Sequence, residues 1–175
     1  MKHIFLTGEK QVGKSTLWQK ALEGSAISPG GFQTLAYIVN DRFRGYLLHC
    51  LGAVPESYGN DVPISVFLRK KCHLAVPESF DVFGTALLRL ALEKGGYILM
   101  DELGTFEQNA PAFRQAVMDC LDGDCHVLGV LQKAEDPFLE EILHRPDVQM
   151  FTVTPENRDD LLVPLTEALA QLEFF

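Results

Sequence analysis

One stretch constrains this chain more than any other: Gly8-Glu9-Lys10-Gln11-Val12-Gly13-Lys14-Ser15-Thr16. It stands between an apolar run, Ile4-Phe5-Leu6, and a helix-like run, Leu17-Trp18-Gln19-Lys20-Ala21-Leu22. Gly8, Gly13, Lys14 and Ser15 fall at the G-x-x-x-x-G-K-[ST] spacing, which demands a strand before it and a helix after it. A loop of this kind turns several backbone N–H groups inward as a nest for phosphate oxygens. Glycine at both ends lets the chain take unusual dihedrals and approach an anion closely. The helix that starts near Gly13 directs its positive end at the same anion. Lys14 is then the residue for the β- and γ-phosphates, and the Ser15 hydroxyl is a ligand for Mg²⁺. All nine residues, Gly8 to Thr16, are candidate nucleotide contacts.

A second stretch completes that chemistry. In Gly96-Tyr97-Ile98-Leu99-Met100-Asp101-Glu102-Leu103-Gly104 an apolar strand ends in two acids. Paired with a phosphate loop, Asp101 is the expected metal residue and Glu102 the expected residue for orienting and deprotonating an attacking water.

Composition narrows the partners. The 175 residues carry 15 Lys and Arg against 24 Asp and Glu, a formal charge of −9. Sequence-independent nucleic-acid binding needs clustered positive charge and is not expected. Nucleotide binding is compatible, because the loop works through local dipoles and one lysine. No apolar run approaches the roughly 18 residues of a spanning helix, and the first residues do not form a signal peptide. A cytoplasmic protein of one domain, residues 1–175, is expected, with no membrane partner. None of Cys50, Cys72, Cys120 and Cys125 forms a C-x-x-C pair. Buried free thiols are expected of them; the competing arrangement joins Cys72-His73 and Cys125-His126 with Cys120 around a metal.

The remaining pattern alternates strands with helices. Strands are expected over 2–7, in the 96–104 stretch just described, and over 126–131 and 148–153, with a helix from the loop to about Glu23. Further helices are expected from Pro77 to Glu93, over 107–121, from Pro137 to Leu143 and over 155–172, the last bent or interrupted by Pro164. Residues 32–39 and 43–51 read as a β-hairpin turning at Asn40-Asp41, with Arg42 and Arg44 beside the turn. Residues 52–63 read as a loop, 64–69 as a short strand, and Lys70-Lys71 as a solvated turn. Thr154-Pro155-Glu156 is a helix start, with Thr154 as the cap. The class is α/β: a three-layer phosphate-loop fold, its mostly parallel sheet covered by helices on both faces, with an added antiparallel hairpin.

On four sets of residues the chain resembles the small phosphate-loop nucleoside-triphosphatase family of the cancer-related nucleoside-triphosphatase and its prokaryotic relatives. They are the Gly8–Thr16 loop, Gly31-Phe32-Gln33-Thr34 with the hairpin to Gly45-Tyr46, Met100-Asp101-Glu102-Leu103-Gly104, and Thr154-Pro155-Glu156-Asn157-Arg158-Asp159. The resemblance implies Mg²⁺-dependent hydrolysis of nucleoside triphosphates such as ATP and GTP to diphosphate and phosphate. It also implies that Asn157 and Arg158 lie near the base and ribose. Two positions depart from the family. Leu35-Ala36-Tyr37-Ile38 carries no charge where relatives have an acid and an arginine, and Thr105 stands where they tend to have lysine. Lys10, Arg145 or a partner's arginine are the candidates to supply the missing positive charge.

Two other classes use the same loop. A small-molecule, nucleoside-type kinase would pass the γ-phosphoryl group to an acceptor, but its usual arginine clamp is not suggested by the scattered Arg42, Arg44, Arg69, Arg89, Arg114, Arg145 and Arg158. A nucleotide-binding regulatory protein with little turnover would suit the uncharged Ala36, Ile38 and Thr105.

Overall fold

The computed structural model describes residues 2–69 and 72–172. Lys70 and Lys71, expected as a turn, lie outside the described residues. The chain runs β1 (His3–Gly8), α1 (Lys14–Glu23), β2 (Gly30–Val39), β3 (Arg42–Leu51), β4 (Asp61–Arg69) and β5 (Cys72–Ala75). A π-helical turn (Ser79–Gly84) then leads into α2 (Thr85–Lys94). It continues with β6 (Gly96–Leu103), α3 (Pro111–Asp122), β7 (Cys125–Leu131), α4 (Pro137–Leu143), β8 (Val148–Val153) and α5 (Leu162–Leu172). The strands join one sheet in the order β5-β4-β3-β2-β6-β7-β1-β8. Strands β2, β6, β7, β1 and β8 run parallel to one another. Strands β3, β4 and β5 extend the sheet antiparallel from β2.

Alternation along the strands sorts side chains between two cores. Phe5, Phe32, Ile98, Met100 and Val127 pack with Phe80, Phe83, Leu88, Phe113 and Ile142 on one face. Ile4, Leu6, Leu99, Leu128 and Val130 pack with Leu17, Trp18, Leu165 and Leu169 on the other. Trp18 of α1 also donates its indole N–H to the Gly129 carbonyl of β7 at 2.9 Å. The helix behind the phosphate loop is thereby fixed to the sheet centre.

The three-layer α/β class holds, with helices on both faces of the parallel half. On the antiparallel extension, the side that carries α1 and α5 leaves Leu35, Tyr37, Val66, Leu68 and Leu74 exposed. Three expectations need correction. The hairpin is the first half of a four-stranded antiparallel extension: β4 begins at Asp61, and β5 forms where no strand was expected. The β4–β5 register, Val66 opposite Leu74, sets two exposed residues together, so no buried alternation marks β5 in the sequence. The third helix starts at Pro111 rather than 107, with Pro at its first position. The last begins at Leu162, not at Pro155, so Thr154 stands before a run of turns rather than at a helix start, and Pro164 sits in the first turn, where a missing N–H breaks no helical bond.

The thiol–metal arrangement fails on topology. Cys72 and His73 lie on β5 and Cys125 and His126 on β7, with β4, β3, β2 and β6 between them. Five strand spacings are roughly 24 Å. Cys50, Cys120 and Cys125 are buried free thiols, and burial pushes Cys120 up to about 12 and Cys125 up to about 11. Among the described residues no helix is long and apolar enough to cross a membrane.

Candidate functional site

The phosphate loop leaves the carboxyl end of β1 and enters α1, as the sequence requires. Gly8 has φ +144° and Gly13, the residue before the helix, φ +100°, both in the region that favours glycine. A β-carbon at Gly8 would overlap the Val153 carbonyl of β8. The Lys14 ammonium donates to the Gly8 carbonyl at 3.0 Å and the Glu9 carbonyl at 2.7 Å. An ammonium has three protons, so one remains for a ligand in the loop. Burial lowers the Lys14 pKa, while Glu102, Asp101 and Glu9 oppose that shift.

Ser15, one residue into α1, donates from Oγ to Asp101 Oδ1 at 3.0 Å. This bond closes 86 residues of sequence and joins the phosphate loop to the acid pair. It exists because β6 is separated from β1 only by β7, so their carboxyl ends lie side by side. Asp101 is 3% exposed. Burial pushes its carboxyl up to about 6, against the Ser15 hydrogen bond, and Glu102 adds to the rise. A buried carboxylate beside a hydroxyl is an all-oxygen donor pair that suits a hard divalent cation, whose charge would favour the ionised form. Among the described residues there is no group of three or more His, Cys, Asp or Glu placed to hold a metal. One or two protein oxygens are what Mg²⁺ takes when phosphates supply the rest.

Two clefts meet at this edge. One, of about 270 Å³, is lined by Gln11, Gly13, Lys14, Ser15, Thr16, Glu102 and Val130. The other, of about 240 Å³, is lined by Gly13, Thr16, Leu17, Lys20, Arg158 and Asp159. Gly8, Glu9, Lys10 and Val12 complete the loop, with Lys10 exposed and Val12 buried in the core. The 154–159 segment divides its labour. Asn157 Oδ1 accepts from the Thr154 N–H at 2.8 Å, its Nδ2 donates to Thr152 O at 3.0 Å, and its own N–H donates to Thr154 Oγ1 at 3.3 Å. Asn157 therefore braces the segment, and Arg158 is the residue that lines the cleft.

Arg145 does not reach the site. It forks onto Asp147 at 3.0 and 2.9 Å and pairs with Asp122 at 2.8 Å, at the amino ends of β7 and β8. Residues that no motif announced do stand there. Gln132 follows β7; its N–H donates to Leu103 O at 2.8 Å, and its side-chain oxygen accepts from Thr105 N at 3.3 Å. Lys133 comes next and pairs with Glu9 at 3.4 Å. Glu107, 1% exposed, accepts the Gly104 N–H and holds the loop that follows Glu102. Its neighbour Arg114 donates to the Glu107 carbonyl at 3.1 Å and forks onto Asp136 at 3.2 and 2.6 Å. The signal for Gln132 and Lys133 is the same as for Asp101, polar residues at the carboxyl end of a core strand, here applied to 126–131.

Comparison with known proteins agrees with this architecture. A family model described as NTPase matches residues 3–166. The nucleoside-triphosphatase THEP1 of Thermotoga maritima is 30% identical over 172 residues, covering 98% of this chain and 95% of that protein. The cancer-related nucleoside-triphosphatase of Homo sapiens is 31% identical over 179 residues, covering 92% and 93%. The solution structure of a human cancer-related nucleoside triphosphatase superposes with a TM-score of 0.76 at 29% identity, over 97% of each chain. The crystal structure of THEP1 from Aquifex aeolicus superposes with a TM-score of 0.74 at 26% identity, over 93% and 96%. With a phosphate loop, an acid pair beside it and a family match over nearly its whole length, the chain belongs to the NTPase family.

Proposed function

We propose that the protein is a Mg²⁺-dependent nucleoside-triphosphatase that hydrolyses substrates such as ATP and GTP to diphosphate and phosphate. The observation that carries this is the 3.0 Å bond from Ser15 to Asp101, made beside a Lys14 ammonium already docked on the loop. Ser15 and Asp101 would hold the metal, which when bound offsets charge on the β- and γ-phosphates. Backbone N–H groups of Gly8–Thr16 would cradle the phosphates, with the third Lys14 proton on a β- or γ-oxygen. Arg158 and Thr16 line the adjoining cleft, which suits ribose and base.

Glu102 lines the same cleft as Lys14 and Ser15. It is the group we assign to the attacking water: its carboxylate accepts one water proton as the water oxygen bonds to γ-phosphorus. The bond from γ-phosphorus to the bridging oxygen breaks, and the diphosphate leaves with that electron pair.

Phosphate release from ATP, GTP, CTP and UTP, with Mg²⁺ or with EDTA, tests the proposal. Release is expected only with Mg²⁺. Lys14→Ala should abolish it, and Glu102→Gln should lower kcat by about 10²–10⁴-fold while triphosphate still binds. Normal turnover by Glu102→Gln would remove the water-activating role, and no release from any triphosphate by the wild type would remove the function.

A further inference from the structure

Thr105, after the Asp101-Glu102 pair, carries no charge, and Arg145 is tied to Asp122 and Asp147 at the far end of the strands. Another cation, Lys133, stands beside the phosphate loop, on a neighbouring cleft of about 250 Å³ that it lines with Thr7, Leu131 and Glu140. Strand β7 lies between β1 and β6, and its last residue, Leu131, is paired with Thr7 on one side and Leu103 on the other. A residue just beyond Leu131 therefore rises between the phosphate loop and the Asp101-Glu102 pair. Gln132 anchors that backbone through Leu103 and Thr105. Lys133 projects from it and reaches Glu9, whose carbonyl already holds the Lys14 ammonium.

From this juxtaposition we propose that Lys133 is a second phosphate-contacting cation of the site, resting on Glu9 in the free protein and moving to the γ-phosphate when a triphosphate binds. The inference rests on the function proposed above. Its physical basis is a difference in what the two partners offer. The Lys133–Glu9 pair is 54% and 79% exposed and 3.4 Å long. Exposed pairs of this kind contribute little, so leaving Glu9 costs little. A γ-phosphate in the cleft presents more negative charge in a less hydrated setting and gains charge as the bond to the leaving oxygen breaks. A diphosphate lacks that group. Lys133 is thus expected to distinguish triphosphate from diphosphate as well as to speed the reaction.

Lys133→Met and Lys133→Arg test this. Calorimetry would compare binding of a non-hydrolysable triphosphate analogue and of the diphosphate, both with Mg²⁺, alongside steady-state phosphate release. Lys133→Met should weaken the analogue about tenfold or more, leave the diphosphate within about twofold, and lower kcat by about 10²-fold, the usual scale for one donor to developing charge. Lys133→Arg should restore most of both, and neither variant should change the melting temperature appreciably. A wild type that hydrolyses triphosphate while Lys133→Met keeps the same triphosphate-to-diphosphate ratio overturns the inference alone. A wild type that neither binds nor hydrolyses any triphosphate overturns the proposed function and this inference with it.

Discussion

Gly8 shows how a single residue serves both the fold and the site. Its φ of +144° and its contact with the Val153 carbonyl leave no space for a side chain. Gly8→Ala is expected to cost at least about 2 kcal/mol and to weaken triphosphate binding, as read by denaturant unfolding and calorimetry. Glu107 carries a pH dependence. Burial pushes its carboxyl up to about 7, against the Gly104 N–H and Arg114, which favour the ionised form. The folded chain therefore keeps a proton that the unfolded chain loses near pH 4.5. Stability from this group is fully present below that pH and is lost as pH rises through about 7. The total is on the order of 3 kcal/mol. Glu107→Gln, which retains an acceptor for Gly104, should flatten the fall in melting temperature between about pH 5 and 7.

At the scale of elements, the hairpin and the turns before the last helix each depend on a short polar pair. Asn40 and Asp41 have φ of 50° and 57° between the paired Val39 and Arg42, a two-residue turn with both central residues left-handed. That geometry favours Asn-Gly. Asp41→Gly should stabilise the protein by about 0.5–1 kcal/mol in thermal unfolding; a loss would mean that the Asp41 side chain has a role in the turn. Thr154 and Asn157 hydrogen-bond each other reciprocally in the turns ahead of α5. Thr154→Ala, which removes the acceptor for the Asn157 N–H, should cost about 1 kcal/mol and loosen the segment that presents Arg158, raising KM more than it lowers kcat.

At the scale of the whole molecule, β2 joins two kinds of sheet. It pairs parallel with β6 up to Gln33 opposite Asp101, then runs on to Val39 along β3. The parallel half is covered on both faces and brings β1, β7 and β6 to one edge. The antiparallel half is covered on one. A triphosphate with Mg²⁺ would bridge α1, β6 and the 154–159 segment, so binding should raise the melting temperature of the whole sheet. At a hundredfold excess over Kd the gain is about 2.7 kcal/mol. Thermal unfolding should show it with Mg²⁺ and lose it with EDTA.

Much of this is legible in the sequence, for reasons particular residues make plain. Gly8, Gly13, Lys14 and Ser15 form a local device whose spacing encodes its own geometry, and the buried strands 3–8, 96–103 and 125–131 advertise themselves by the apolar stretches within them, Ile4-Phe5-Leu6, Tyr97-Ile98-Leu99-Met100 and Val127-Leu128-Gly129-Val130-Leu131. Strand β5 does not, because an exposed edge pair needs no apolar face. Nor do Lys133, Gln132 or Glu107, because a charged or polar residue after a strand looks the same in sequence whether it meets solvent or a distant loop. Local backbone chemistry and burial period are properties of neighbouring residues and can be read along the chain. Pairings such as Ser15 with Asp101, Glu9 with Lys133 and Glu107 with Gly104 depend on which strands lie side by side, and that order arises only when the sheet assembles.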